Sequence, residues 1–129
     1  MKKIIVETKK KKEIIDITNR IGDELEKKSG LCHLFLLHTT AALTTADLDP
    51  GTDLDMLDAF EKIMPKLKYR HPHDPGHAPD HILSSMIGPS IVIPVLSGRM
   101  VLGQWQRLVL IELDGPRKRE IRMSFIEEK

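Results

Sequence analysis

Four of the chain's six histidines, His71, His73, His77 and His81, lie within residues 71–81. Imidazole is the side chain that most readily moves protons or ligates a metal near neutral pH, so this stretch is where chemistry is first sought. His73, His77 and His81 recur every fourth residue, the spacing of one helical face. Pro72, Pro75 and Pro79 oppose that helix, since each removes a donor and biases the residue before it away from helical angles. The spacing therefore predicts a loop bearing His71, His73 and His77. A helix follows only after Pro79, with Asp80 as its N-cap and Gly88 as its stop. Ile82, Leu83, Met86 and Ile87 form its apolar arc, and His81, Ser84 and Ser85 the opposite one.

Other candidates stand elsewhere. His38 closes the apolar run Leu31–His38 and precedes Thr39 and Thr40; a strand end can present a side chain to a cleft, although a structural histidine fits there as well. In the last alternating run Ile121, Met123 and Phe125 face the core, and parity puts Arg117 and Arg119 on the same side. Inward arginines want anions; Glu112 as ion-pair partner and a bound phosphate are equally open. Asp53, Asp55 and Asp58 read as charges on the first turns of a helix, whereas Asp47, on the turn before it, has no such explanation. Cys32 reads as a small core residue, and Lys9–Lys12 as a solvated turn. Ser84, His81 and Asp80 are neighbours on one turn and do not make a triad.

The elements that must position these groups follow the chain. Lys3–Thr8 and Glu13–Ile17 read as an antiparallel hairpin, and Thr18 to about Lys28 as a helix. Leu31–His38 and Ala41–Thr45 are strands, and Thr52 opens a helix that ends at Pro65 with Leu54, Leu57, Phe60 and Met64 as its inner stripe. Ile91–Val95 is a strand that Pro94 places at an edge or bulge. Met100–Leu113 is one long extended run, and Arg119–Ile126 closes the chain.

The chain has 129 residues, 40% hydrophobic and 30% charged, as expected of one soluble globular domain spanning 1–129. A formal charge of +1 and 4% aromatic residues argue against nucleic acid and against an anionic membrane surface. No apolar run has the length of a membrane span, no signal peptide is evident at the N-terminus, and a single cysteine suits a reducing compartment, so the cytoplasm is expected.

Several separated motifs, in order, then resemble one family. They are His38-Thr-Thr-Ala-Ala-Leu-Thr44, Tyr69-Arg-His71, His81-Ile-Leu-Ser-Ser-Met-Ile-Gly88, Ile93-Pro-Val95, Leu102-Gly-Gln-Trp-Gln106 and Glu112-Leu-Asp-Gly-Pro-Arg-Lys-Arg119. The chain resembles the YjbQ family, named for a secondary thiamine-phosphate synthase activity. Two positions depart from the family pattern: Ala46-Asp47 stands where Asn-Glu is usual, and Gln104 replaces the threonine of GTWQ. The resemblance implies an α+β fold of two packed, mostly antiparallel sheets with two or three helices, assembled as a homotrimer. It implies a phosphorylated small-molecule substrate and the joining of an aminopyrimidine pyrophosphate to a thiazole phosphate. A metal-dependent hydrolase of a phosphorylated metabolite and a non-catalytic trimeric binding protein remain alternatives. The matching polar positions are His38, Asp47, His71, His81, Glu112, Arg117 and Arg119. On that basis His38, His71 and His81 are expected to hold a divalent metal, zinc-like or magnesium brought with substrate. Asp47, His81 and Glu112 are expected to be catalytic or to orient the ligands, and Thr39, Thr40, Ser85, Arg117 and Arg119 to bind phosphate. His73 and His77 lie outside the pattern and are read as solvent-facing. No organic cofactor is expected.

Overall fold

The computed structural model describes residues 1–71 and 75–129; His73 lies outside them. Strand alternation builds the architecture. In β3 (Gly30–Leu36) Cys32, Leu34 and Leu36 are buried while Leu31 and Phe35 are exposed. This is the one-faced pattern of a sheet covered on a single side. β3 pairs with β8 (Lys118–Glu127) and β5 (Ser90–Leu96), Leu34 lying opposite both Met123 and Ile91. β1 (Lys2–Glu7) and β6 (Arg99–Met100) complete a five-stranded antiparallel sheet in the order β1-β8-β3-β5-β6. A second sheet, β2-β7-β4, is formed by Glu13–Asp16, Arg107–Glu112 and Ala41–Ala46. Its central strand β7 is buried from Leu108 to Glu112, on both faces.

Two apolar clusters follow from that double burial. One lies between the sheets, where Ile4, Leu34, Ile93 and Ile121 meet Leu43, Leu108 and Leu110. The other lies beyond the small sheet, where Ala42, Val109 and Ile111 meet Leu83 of α3 (Ala78–Ile87), with Phe60 and Met64 packed against them. The fold is thus layered sheet, sheet, helix, and the outer face of the large sheet carries no layer. No described helix is long and apolar enough to cross a membrane.

The α+β class and the two packed antiparallel sheets match expectation, while several local readings need correction. β1 and β2 are not a hairpin. They belong to different sheets, so residues 8–12 cross between layers instead of turning within one. α1 is one short helix, Thr18–Gly22. The run from Met100 breaks at Val101 to Gln106, where Gln106 donates from its backbone to the Gly103 carbonyl. α3 starts at Ala78, ahead of Pro79, because proline in a first helical turn forfeits only a donor that has no intrahelical acceptor. His77 is its N-cap residue, and Asp80 lies buried in the first turn, bonded to Lys12 Nζ at 2.8 Å. The buried side of α3 carries Leu83 and Ser84, leaving Met86 66% exposed. Gly88 ends it at φ 108°, a backbone angle that favours glycine.

Candidate functional site

The link from β3 to β4 carries the chain from one sheet to the other, and His38, Thr39 and Thr40 lie on it. Beside it comes the link from β7 to β8, which repeats the crossing with Asp114 and Arg117. Where the two crossings meet the start of α3, Leu37, His38, Thr39, Thr40, His77, His81, Asp114, Arg117 and Arg119 line a pocket of about 320 Å³. Residues far apart in sequence converge here because both inter-sheet links leave from the same end of the sandwich.

The wall is an ion-pair network. Arg119 and Glu112 are buried and bonded to each other through both Nε and Nη2. Nη2 also donates to the carbonyl and hydroxyl oxygens of Thr40 at 3.0 and 2.9 Å. Nη1 makes no such bond, and because no buried side-chain nitrogen or oxygen among the described residues lacks a partner, it must reach the pocket. Burial alone would raise the Glu112 carboxyl. Hydrogen bonds from Arg119, from the Thr8 hydroxyl at 2.7 Å and from the Asp114 backbone N–H outweigh it and hold the group below its ordinary range. Behind Glu112 there is no room for a side chain on Gly115, whose Cβ would stand 2.3 Å from the Lys10 carbonyl.

Asp114 is the second hub. Burial pushes its carboxyl up, but Lys11 and Arg117 prevail and keep it ionised. Arg117 donates from Nη2 to the carboxylate at 2.9 Å and from Nε to the Asp114 carbonyl at 2.7 Å. His77 Nδ1 lies 3.8 Å from the same carboxylate. Lys11, Arg117 and Arg119 thus face two carboxylates, Asp114 and Glu112, and the pocket keeps a net positive balance.

His38 sits at the rim with Nε2 accepting the Glu120 backbone N–H at 2.8 Å. That bond requires the tautomer protonated at Nδ1. Burial first, and then the Arg119 charge, lower its pKa, so His38 is neutral at neutral pH. His71 and His81 stack, with ring centroids 4.8 Å apart and planes at 23°. As a metal set these three fit poorly in this arrangement. Nε2 of His38 is occupied, the other two rings lie face to face, and among the described residues no three His, Cys, Asp or Glu side chains stand together as a ligand group.

Of the other expected residues, Thr39, Thr40, His81, Arg117 and Arg119 meet in the pocket, while three do not. Glu112 is sealed behind Arg119 and serves to position it. Asp47 lies past the far end of β4, where its Oδ1 accepts the Asp49 N–H at 3.0 Å. A strand of that length holds it on the order of 20 Å from Thr40. Ser85 is exposed and donates to the Ile82 carbonyl; the inward serine is Ser84, bonded to the Ala41 carbonyl at 2.6 Å. Two pocket residues were misread. His77 is not simply solvent-facing, and the Asp114 turn hides a buried carboxylate. The i, i+4 spacing of His77 and His81 was a usable signal once Pro79 is allowed a first-turn position. Lys11 and Lys12 likewise proved pinned to Asp114 and Asp80. Cys32 is buried, with its thiol pushed up to about 11 by desolvation, and has no part here.

Fold and site together define an α+β sandwich with a cationic, histidine-rimmed pocket between its inter-sheet crossings. The YjbQ family model, described as UPF0047 protein YjbQ-like, matches residues 2–128. A UPF0047 protein of Archaeoglobus fulgidus is 38% identical over 119 residues, 92% of this chain and 94% of that one. The UPF0047 protein YjbQ of Salmonella typhimurium is 41% identical over 112 residues, 79% and 81% of the two chains. Among solved structures, a conserved hypothetical protein of Thermus thermophilus superposes with TM-score 0.89 at 30% identity, covering 98% of this chain and 100% of its own. A YbjQ-like protein of unknown function from Sulfolobus solfataricus gives TM-score 0.89 at 32% identity, covering 98% and 96%. The chain belongs to the YjbQ family.

Proposed function

We propose that the pocket binds the phosphate of a small phosphorylated metabolite and that the protein is a cytoplasmic enzyme acting on that compound. One observation carries the reading: Arg119 is buried and held rigidly by Glu112 and Thr40, yet keeps Nη1 toward the pocket beside Arg117. A guanidinium fixed before the ligand arrives loses little side-chain freedom on binding, and buried donors act in a low dielectric. His38 adds a neutral Nδ1–H and Thr39 a hydroxyl. Charge developing on a leaving phosphate or pyrophosphate would meet donors already in place. The transfer implied by the family resemblance, aminopyrimidine pyrophosphate to thiazole phosphate, makes that demand, as does hydrolysis of a phosphate ester. Binding without turnover would use the same donors.

The test is calorimetric titration of the protein with inorganic phosphate and with pyrophosphate, beside Arg117→Gln. Binding that weakens about tenfold or more in the variant, the scale of one charge-assisted contact, is expected. Absence of binding by both anions would refute the reading. A divalent ion, zinc-like or magnesium arriving with substrate, is a second reading favoured by the adjacency of His71 and His81. Metal analysis by mass spectrometry of the wild type beside His71→Ala and His81→Ala decides it, since bound metal must fall in both variants. Self-association as a homotrimer is proposed on the uncovered face of the large sheet.

A further inference from the structure

A second cavity, larger at about 540 Å³, adjoins the pocket and is lined by Leu57, Phe60, Met64, Tyr69, Leu83 and Leu113, among others. The two share a wall. His77 lines both, Leu113 faces the cavity while its neighbour Asp114 faces the pocket, and Asp80 and His81 divide in the same way. Lys11, in the cavity wall, is the cation bonded to Asp114, and Lys12 neutralises Asp80 beside it. The charges at the junction are therefore matched, and what the cavity offers beyond them is apolar surface. Its outer side is α2 (Thr52–Ile63), which has no buried residue, so Leu57 and Phe60 remain partly open. Pockets that take small molecules combine such an apolar lining with a few convergent polar groups at one end.

We propose that this cavity receives the organic body of the ligand whose phosphate occupies the adjoining pocket. The substrate class is then an aryl- or alkyl-bearing phosphomonoester in preference to a phosphorylated sugar. The inference rests on the phosphate reading of the pocket. A sugar phosphate would leave the apolar wall facing polar hydroxyls, whereas an aromatic body would remove both its own surface and that of Phe60 and Leu57 from water.

The experiment titrates the full chain with inorganic phosphate, naphthyl phosphate and naphthol at near-neutral pH, in wild type, Phe60→Ala, Leu57→Ala and Arg117→Gln. Phe60 and Leu57 are only partly buried, and circular dichroism confirms that their variants fold. The expected result is that naphthyl phosphate binds roughly tenfold or more tightly than inorganic phosphate, the scale for burying an aromatic group. Phe60→Ala and Leu57→Ala reduce that advantage without changing inorganic phosphate binding, and Arg117→Gln weakens both phosphate ligands. Naphthyl phosphate binding no tighter than inorganic phosphate would overturn this inference and leave the phosphate reading intact. So would an advantage that both cavity variants preserve. Naphthol matching naphthyl phosphate, with no effect of Arg117→Gln, would overturn both, as would failure of every probe to bind.

Discussion

Arg119 and Glu112 are each about 1% exposed or less, and each is the main charge partner of the other. Removing one partner of such a pair strands a charge where water cannot reach it, which costs more than the bond itself. Arg119→Met is expected to destabilise the fold by roughly 3–5 kcal/mol in urea titrations, and adding Glu112→Leu to restore a large part of it. His38 makes a pH prediction. Its folded-state pKa lies below the ordinary 6.5, so on acidification the unfolded chain takes the proton first. Its contribution to stability is complete above 6.5 and is lost as pH falls through the folded value. Glu112 and Asp114, also lowered, from 4.5 and 3.8, add a further loss in the acid range below those values. Unfolding free energies measured across that range should fall in two stages, and His38→Gln should remove the first.

Among the elements, α3 is the one that closes the site, because it carries His77 and His81 and is tied down at both ends. Lys12 grips its first turn through Asp80, and Ser84 donates to β4 at the Ala41 carbonyl. Ser84→Ala leaves that carbonyl without its side-chain partner, and a loss of about 1–2 kcal/mol is expected in thermal or urea unfolding. α2 differs. Leu54 and Ile63 are each 60% exposed, and the helix has no buried residue. Its backbone amides should exchange with deuterium well before those of β7, whose residues are sealed between two layers.

For the molecule as a whole, the uncovered sheet face is the outstanding feature. Leu31, Phe35, Val92, Leu96 and Ile126 are between 40% and 64% exposed on it. A contiguous apolar surface of this kind is normally covered by a partner. If the homotrimer uses this face, Val92→Glu should sediment as a monomer while keeping its circular dichroism spectrum. A wild type that sediments as a monomer would exclude the trimer.

The sequence alone determined the strands, because burial on one face writes itself as alternation. β3, β5 and β8 were each legible, as were the inward parity of Arg119 and the edge position of Pro94. Most of the polar residues that meet in the pocket were legible too, through the motifs that mark the family. Tertiary structure decided what alternation cannot encode: that β1 and β2 go to different sheets, and that the run after Met100 breaks. It also decided that Asp47 and Thr40 stand at opposite ends of one strand, since residue type does not report along-strand distance from a site. Asp114 and His77 were hidden for the same reason. A turn carboxylate reads as solvated until the lysine and arginine that neutralise it are brought in from elsewhere in the chain, and only packing does that.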